Sequence, residues 1–119
     1  MINKLLSALF NSRTQAHIFH LQTRSFAKHK ALKGYYEDII PLIDAIAESY
    51  QGEHGIITGY EVPREYYQGD QHTTMYFEAL KRFVESVRPK FEADTDLANQ
   101  IDEVIALVKS TLYLLKELE

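Results

Sequence analysis

Residues 26–52 read FAKHKALKGYYEDIIPLIDAIAESYQG, and Phe26, Leu32, Tyr36, Ile39, Ile40, Ile43, Ile46, Ala47 and Tyr50 recur in it at helical spacing. That spacing lays one apolar face along a helix. Gly52 is the expected C-terminal cap, because glycine enters the left-handed conformation at little steric cost. Pro41 stands in the middle. An interior proline costs about 3 kcal/mol, since it removes a backbone donor and clashes with the preceding turn. The expectation is a bent helix over 26–51 or two shorter ones, and the unbroken periodicity favours the bend.

Working outward, Ile2, Leu6, Leu9, Phe10, Ala16 and Leu21 give a first helix over about 2–23, followed by a short turn around residues 23–25. Residues 52–70 hold four of the five glycines and read as a long loop. A third helix over about 71–90 places Met75, Leu80, Phe83, Val84 and Val87 on one face and ends near Pro89. Asp94 or Thr95 caps a fourth over about 96–118, with Leu97, Ile101, Val104, Ile105, Val108, Leu112, Leu115 and Leu118 inward. No segment alternates with period two, so the chain reads as all-α and as one domain over 1–119.

Loop lengths constrain the connections. Short links make antiparallel hairpins of the first and last helix pairs. The middle loop reaches roughly 60 Å when extended, whereas a 24-residue helix is only about 36 Å long. It is long enough to cross over between helices 2 and 3 and leave them parallel, the ferritin-like four-helix bundle connection. An ornate loop between antiparallel helices fits the same length.

Composition narrows the chemistry. Cysteine is absent, which excludes disulfides, thiol catalysis and cysteine-ligated zinc, so any metal is held by His, Asp or Glu. No apolar run approaches the roughly 20 residues of a membrane span, and no membrane partner is expected. Residues 1–36 carry six Lys or Arg and no acid, while the rest holds seven against 17 acids. A nucleic-acid patch is one reading of that charge, but no basic tail or binding motif accompanies it, so nucleic acid is not an expected partner. A transit peptide is another. The histidine spacing described next begins inside this segment, so it reads as part of the domain, in a cytoplasmic protein.

His17 precedes the first turn and His29 follows it, so the two imidazoles are expected to face each other across the helix pair. Asp44 and Glu48 lie four apart, on one face of the second helix. Histidine with carboxylate suits iron, manganese or zinc. His29 and Asp44 are 15 residues apart, roughly 22 Å along a helix, and cannot share an ion within one chain. Antiparallel packing of two second helices about a two-fold axis would bring them together, twice per homodimer.

Residues 17–52, HIFHLQTRSFAKHKALKGYYEDIIPLIDAIAESYQG, resemble the ferroxidase region of the Dps-type mini-ferritins, the DNA-binding proteins from starved cells, including small Dps-like proteins of bacteriophages. His17, Phe26, His29, Asp44, Ala47 and Glu48 match that family's intervals. The resemblance implies a ferroxidase between subunits, oxidising ferrous to ferric iron with peroxide or oxygen inside a dodecamer. His17 and His29 would be ligands from one subunit, and Asp44 and Glu48 from the other. Ile18 stands where the family usually has Trp, and Lys33 where it usually has an acid. The competing expectation is a metal-free ferritin-like oligomeric interaction module. His20 reads as an interface residue or else an extra ligand, His54 and His72 as surface residues, and Tyr60, Tyr66 and Tyr67 as packing over the bundle seam or else a partner contact.

Overall fold

The computed structural model describes residues 1–118. It consists of four α-helices with two short 3-10 turns, and no strand occurs among the described residues. α1 is Ile2–Gln22, α2 Phe26–His54, α3 Thr73–Val87 and α4 Thr95–Glu117. α1 packs on α2, α2 on α4 and α4 on α3, while α3 meets α1 only lightly.

α2 is one helix of 29 residues that continues through Pro41. At about 1.5 Å per residue it is roughly 43 Å long, and the molecule's longest dimension is 44 Å. Pro41 lies on the exposed side, where water can satisfy the carbonyl that loses its helical donor. Gly52 is not the cap: the helix runs on to His54, and Gly55, at φ 89°, ends it with its N–H donating to the Gln51 carbonyl at 3.0 Å. α4 starts as expected, with the Asp94 carboxylate accepting the Leu97 N–H at 3.2 Å.

The core is a continuous cluster in which Leu5, Leu6, Leu9 and Phe19 of α1 meet Leu32, Tyr35, Ile39, Ile43 and Ile46 of α2, with Phe77, Val84, Ile101, Val104 and Val108 behind them. Each large side chain buried this fully contributes about 1.5–3 kcal/mol. Several apolar residues expected inward point outward instead. Leu21 and Phe26, beside the first turn, are 70% and 74% exposed, and Phe10, Ile40, Met75 and Leu118 are also exposed. In the third helix the core position belongs to Phe77, two residues beyond Met75.

The segment after α2 lies against α1. Asn3 Nδ2 donates to the Gly59 carbonyl at 2.9 Å, and the Glu61 N–H donates to Ser7 Oγ at 2.8 Å. Gln15 exchanges two bonds with the Tyr67 backbone at 2.8 and 2.9 Å, and the Gly69 N–H donates to Gln22 Oε1 at 2.7 Å. Gly59 is required at its place: its φ is 83°, and an added Cβ would stand 3.2 Å from the Asn3 amide that holds the loop.

Ser12 and Tyr35 make a polar contact deep between α1 and α2. Ser12 Oγ donates to the Leu9 carbonyl at 2.7 Å, so the Tyr35 hydroxyl is the donor in their own 2.7 Å bond. Burial pushes the Tyr35 phenol far above its ordinary range, which keeps it a neutral donor. Tyr35→Phe removes a donor and leaves Ser12 bonded to Leu9, at a cost of about 1 kcal/mol. Ser12→Ala strands a buried hydroxyl and costs about 1–3 kcal/mol. Urea unfolding is expected to rank Ser12→Ala as the more damaging change.

Candidate functional site

The turn between α1 and α2 is fixed by short-range caps. The Thr23 N–H donates to the Phe19 carbonyl at 2.9 Å, and Ser25 Oγ accepts the Lys28 N–H at 3.2 Å. Three residues suffice for the reversal, and it sets residue 20 level with residue 29. His20 Nδ1 lies 2.8 Å from the His29 carbonyl, and His29 Nδ1 lies 2.9 Å from the His20 carbonyl. A carbonyl only accepts, so each Nδ1 carries a proton, and in the neutral form of each ring Nε2 carries the lone pair. The His20 carbonyl is one of the last of α1, beyond the reach of its own helix. The His29 ring therefore acts as a cap supplied by the next helix.

The two rings stack with centroids 3.7 Å apart and planes 20° from parallel. His17, half-buried, stacks instead on Tyr36 at 4.2 Å and meets His20 edge-on at 5.8 Å. His20, read from sequence as an interface residue, is the immediate partner of His29 and is buried to 7% exposure. Counting from the turn gives the reason. His29 is four residues past Ser25 whereas His17 is six before Thr23, so the hairpin register pairs position 20 with 29.

Nearly parallel rings at this separation do not converge on one ion. A metal about 2.1 Å from each nitrogen would sit well outside both ring planes, away from the lone pairs. The stacked pair is therefore a hairpin clasp whose two Nε2 atoms each remain free to act separately.

Asp44 and Glu48 are exposed on the later half of α2. Asp44 lines a hollow of about 260 Å³ together with Phe10, Arg13, Ile40 and Ile43. Among the described residues, no three His, Asp or Glu side chains come together to hold one ion. The four sequence-predicted residues thus divide into a histidine end and a carboxylate region of one chain. Lys33 is exposed between them.

The remaining histidines and loop tyrosines pack locally. His54 is exposed beside Tyr50, and half-buried His72 lies against Tyr67 at 5.3 Å. Tyr60 sets its edge on Phe10 at 5.7 Å, and Tyr67 meets Tyr76 at 6.1 Å. No described helix is long and apolar enough to cross a membrane.

A family of unknown function (DUF5856) matches residues 20–115. That span takes in His20, His29, Asp44 and Glu48 and leaves His17 outside. No curated protein and no solved structure matches the chain.

The clasp gives a prediction of its own. His20→Ala and His29→Ala each remove one side of a reciprocal contact, so the double variant is expected to lose less stability than the two singles summed, with a coupling of about 0.5–3 kcal/mol. A denaturation cycle over the four proteins measures it, and strict additivity would mean that the two imidazoles do not act together.

Proposed function

The chain belongs to that family, and we propose that it is an iron-binding, Dps-like subunit: a ferritin-like bundle whose metal centre is completed by a second copy. The observation that carries the reading is the pinned Nδ1–H of His29, bonded to a backbone carbonyl at 2.9 Å. This is how proteins orient a histidine that ligates through Nε2. His17 and His29 serve from one subunit, with Asp44 and Glu48 of the partner subunit supplying oxygen ligands. Imidazole and carboxylate suit iron and also other divalent metals. Iron is the substrate: two ferrous ions give up two electrons, and peroxide accepts them with two protons to become water. Oxygen is the alternative oxidant.

The bonds from Asn3, Ser7, Gln15 and Gln22 to residues 59–69 support a crossover that runs the length of the bundle and leaves α2 and α3 parallel. That connection belongs to ferritin-like bundles. A homodimer is the smallest assembly that completes the centre. A dodecamer and a cytoplasmic location extend the same resemblance.

A second reading, a metal-free interaction module on the same scaffold, is favoured by Lys33. Its ammonium is exposed on the face that would receive the cation.

Anaerobic ferrous titration by calorimetry, followed by peroxide and ultraviolet detection of ferric product, tests the proposal. Saturable binding is expected in the wild type, with affinity lowered about 10–100-fold in Glu48→Gln and in His29→Ala. Because His29 also clasps the hairpin, the melting temperature of His29→Ala is read alongside, and the exposed Glu48 provides a variant free of that role. A wild type that takes up no iron leaves the metal-free module as the function.

A further inference from the structure

Along α2 the positions Lys30, Lys33, Glu37, Ile40, Asp44 and Glu48 follow one another at three- or four-residue steps, and all six are exposed. They form a single stripe on the side away from the core. Its charge is segregated by position. Every lysine of α2 lies at or before residue 33, and every acid lies at or after residue 37. The order opposes the helix macrodipole, which favours acids in the first turn and cations in the last; the first turn of α2 contains no acid. Among the described residues, no charge of the stripe has an ion-pair partner within the chain.

Such a stripe is complementary to itself when reversed. A parallel copy would set lysines on lysines and acids on acids, whereas an antiparallel copy sets each basic half on an acidic half. The register is fixed twice over. Residues 33 and 44 have their midpoint between 38 and 39, and residues 30 and 48 have theirs at 39. Beside that midpoint lie the exposed Ile40 and, from α1, the exposed Phe10, at 40% and 44%, around the hollow whose rim carries Asp44 and the exposed Arg13. An apolar centre within a polar rim is the usual anatomy of a protein interface.

We propose that this stripe is an isologous interface with a second copy of the chain, in which Lys33 faces the partner's Asp44 and Lys30 faces the partner's Glu48. Ile40 and Phe10 lie at the two-fold axis. The proposal rests on the two-fold packing of the functional reading and not on its iron. It gives Lys33 a role: an ammonium built into the protein neutralises Asp44 and competes with a metal for it, so the dimer forms without metal.

Charge reversal tests it in sedimentation equilibrium with a chelator present at low salt. Each substitution acts twice in an isologous interface. Lys33→Glu and Asp44→Lys are each expected to raise the dimer dissociation constant about tenfold or more, while the double Lys33→Glu/Asp44→Lys returns it to within about threefold of wild type. All three alter exposed side chains, and circular dichroism verifies that they fold. A monomeric wild type, or a double variant no better than the singles, overturns the proposal. A metal-free dimer that obeys the swap but takes no iron upholds the interface and rejects the iron reading; a wild type that is monomeric with chelator yet takes up iron, with uptake lost in Glu48→Gln, does the reverse.

Discussion

The length of α2 is the constraint on which the rest of the structure depends. A helix that spans the whole molecule must present two faces along all of it. One carries Leu32, Tyr35, Ile39, Ile43 and Ile46, all at most 1% exposed, and collects α1 and α4 around it. The other carries the charged stripe and is covered by neither α1 nor α4. Pro41 falls on that uncovered side, where its missing donor is least costly.

The clasp between His20 and His29 couples fold to chemistry. The two bonds that close the hairpin also decide where each imidazole keeps its proton. An Nε2 lone pair results on each ring as a by-product of helix capping. Ring stacking then keeps the two lone pairs from converging on one ion. In the proposed centre the oxygen ligands come from a second copy, because Asp44 lies roughly 22 Å from His29 along the same helix, further than one chain can bridge.

Much of this was legible from spacing. Helix order and extent, the long loop and the Asp94 cap follow from apolar periodicity and capping chemistry, because those signals are local. Gly52 misled as a cap because a helix can run through a glycine when better terminal geometry waits three residues later, at Gly55. The outward turn of Leu21 and Phe26 was hidden, since periodicity identifies a stripe and not whether another element reaches far enough to cover its end. The pairing of His20 with His29 is not legible from spacing, because the register of a hairpin depends on the number of residues in the turn. The charge segregation of α2 is legible in the sequence, but that Lys30, Lys33, Asp44 and Glu48 share one exposed stripe depends on which face the neighbouring helices cover.

Antiparallel contact between two α2 helices is the claim that joins the clasp, the carboxylates and Lys33, and pulsed dipolar spectroscopy reads it directly. The chain has no cysteine, so single spin labels can be introduced one at a time at Glu37→Cys and Gln51→Cys. With a two-fold axis near residue 38 or 39, the labels at position 37 should lie within about 20 Å of each other and those at position 51 roughly 40 Å apart, from the helical rise. Labels at 51 closer together than those at 37, or no intermolecular coupling at either site, would contradict the account.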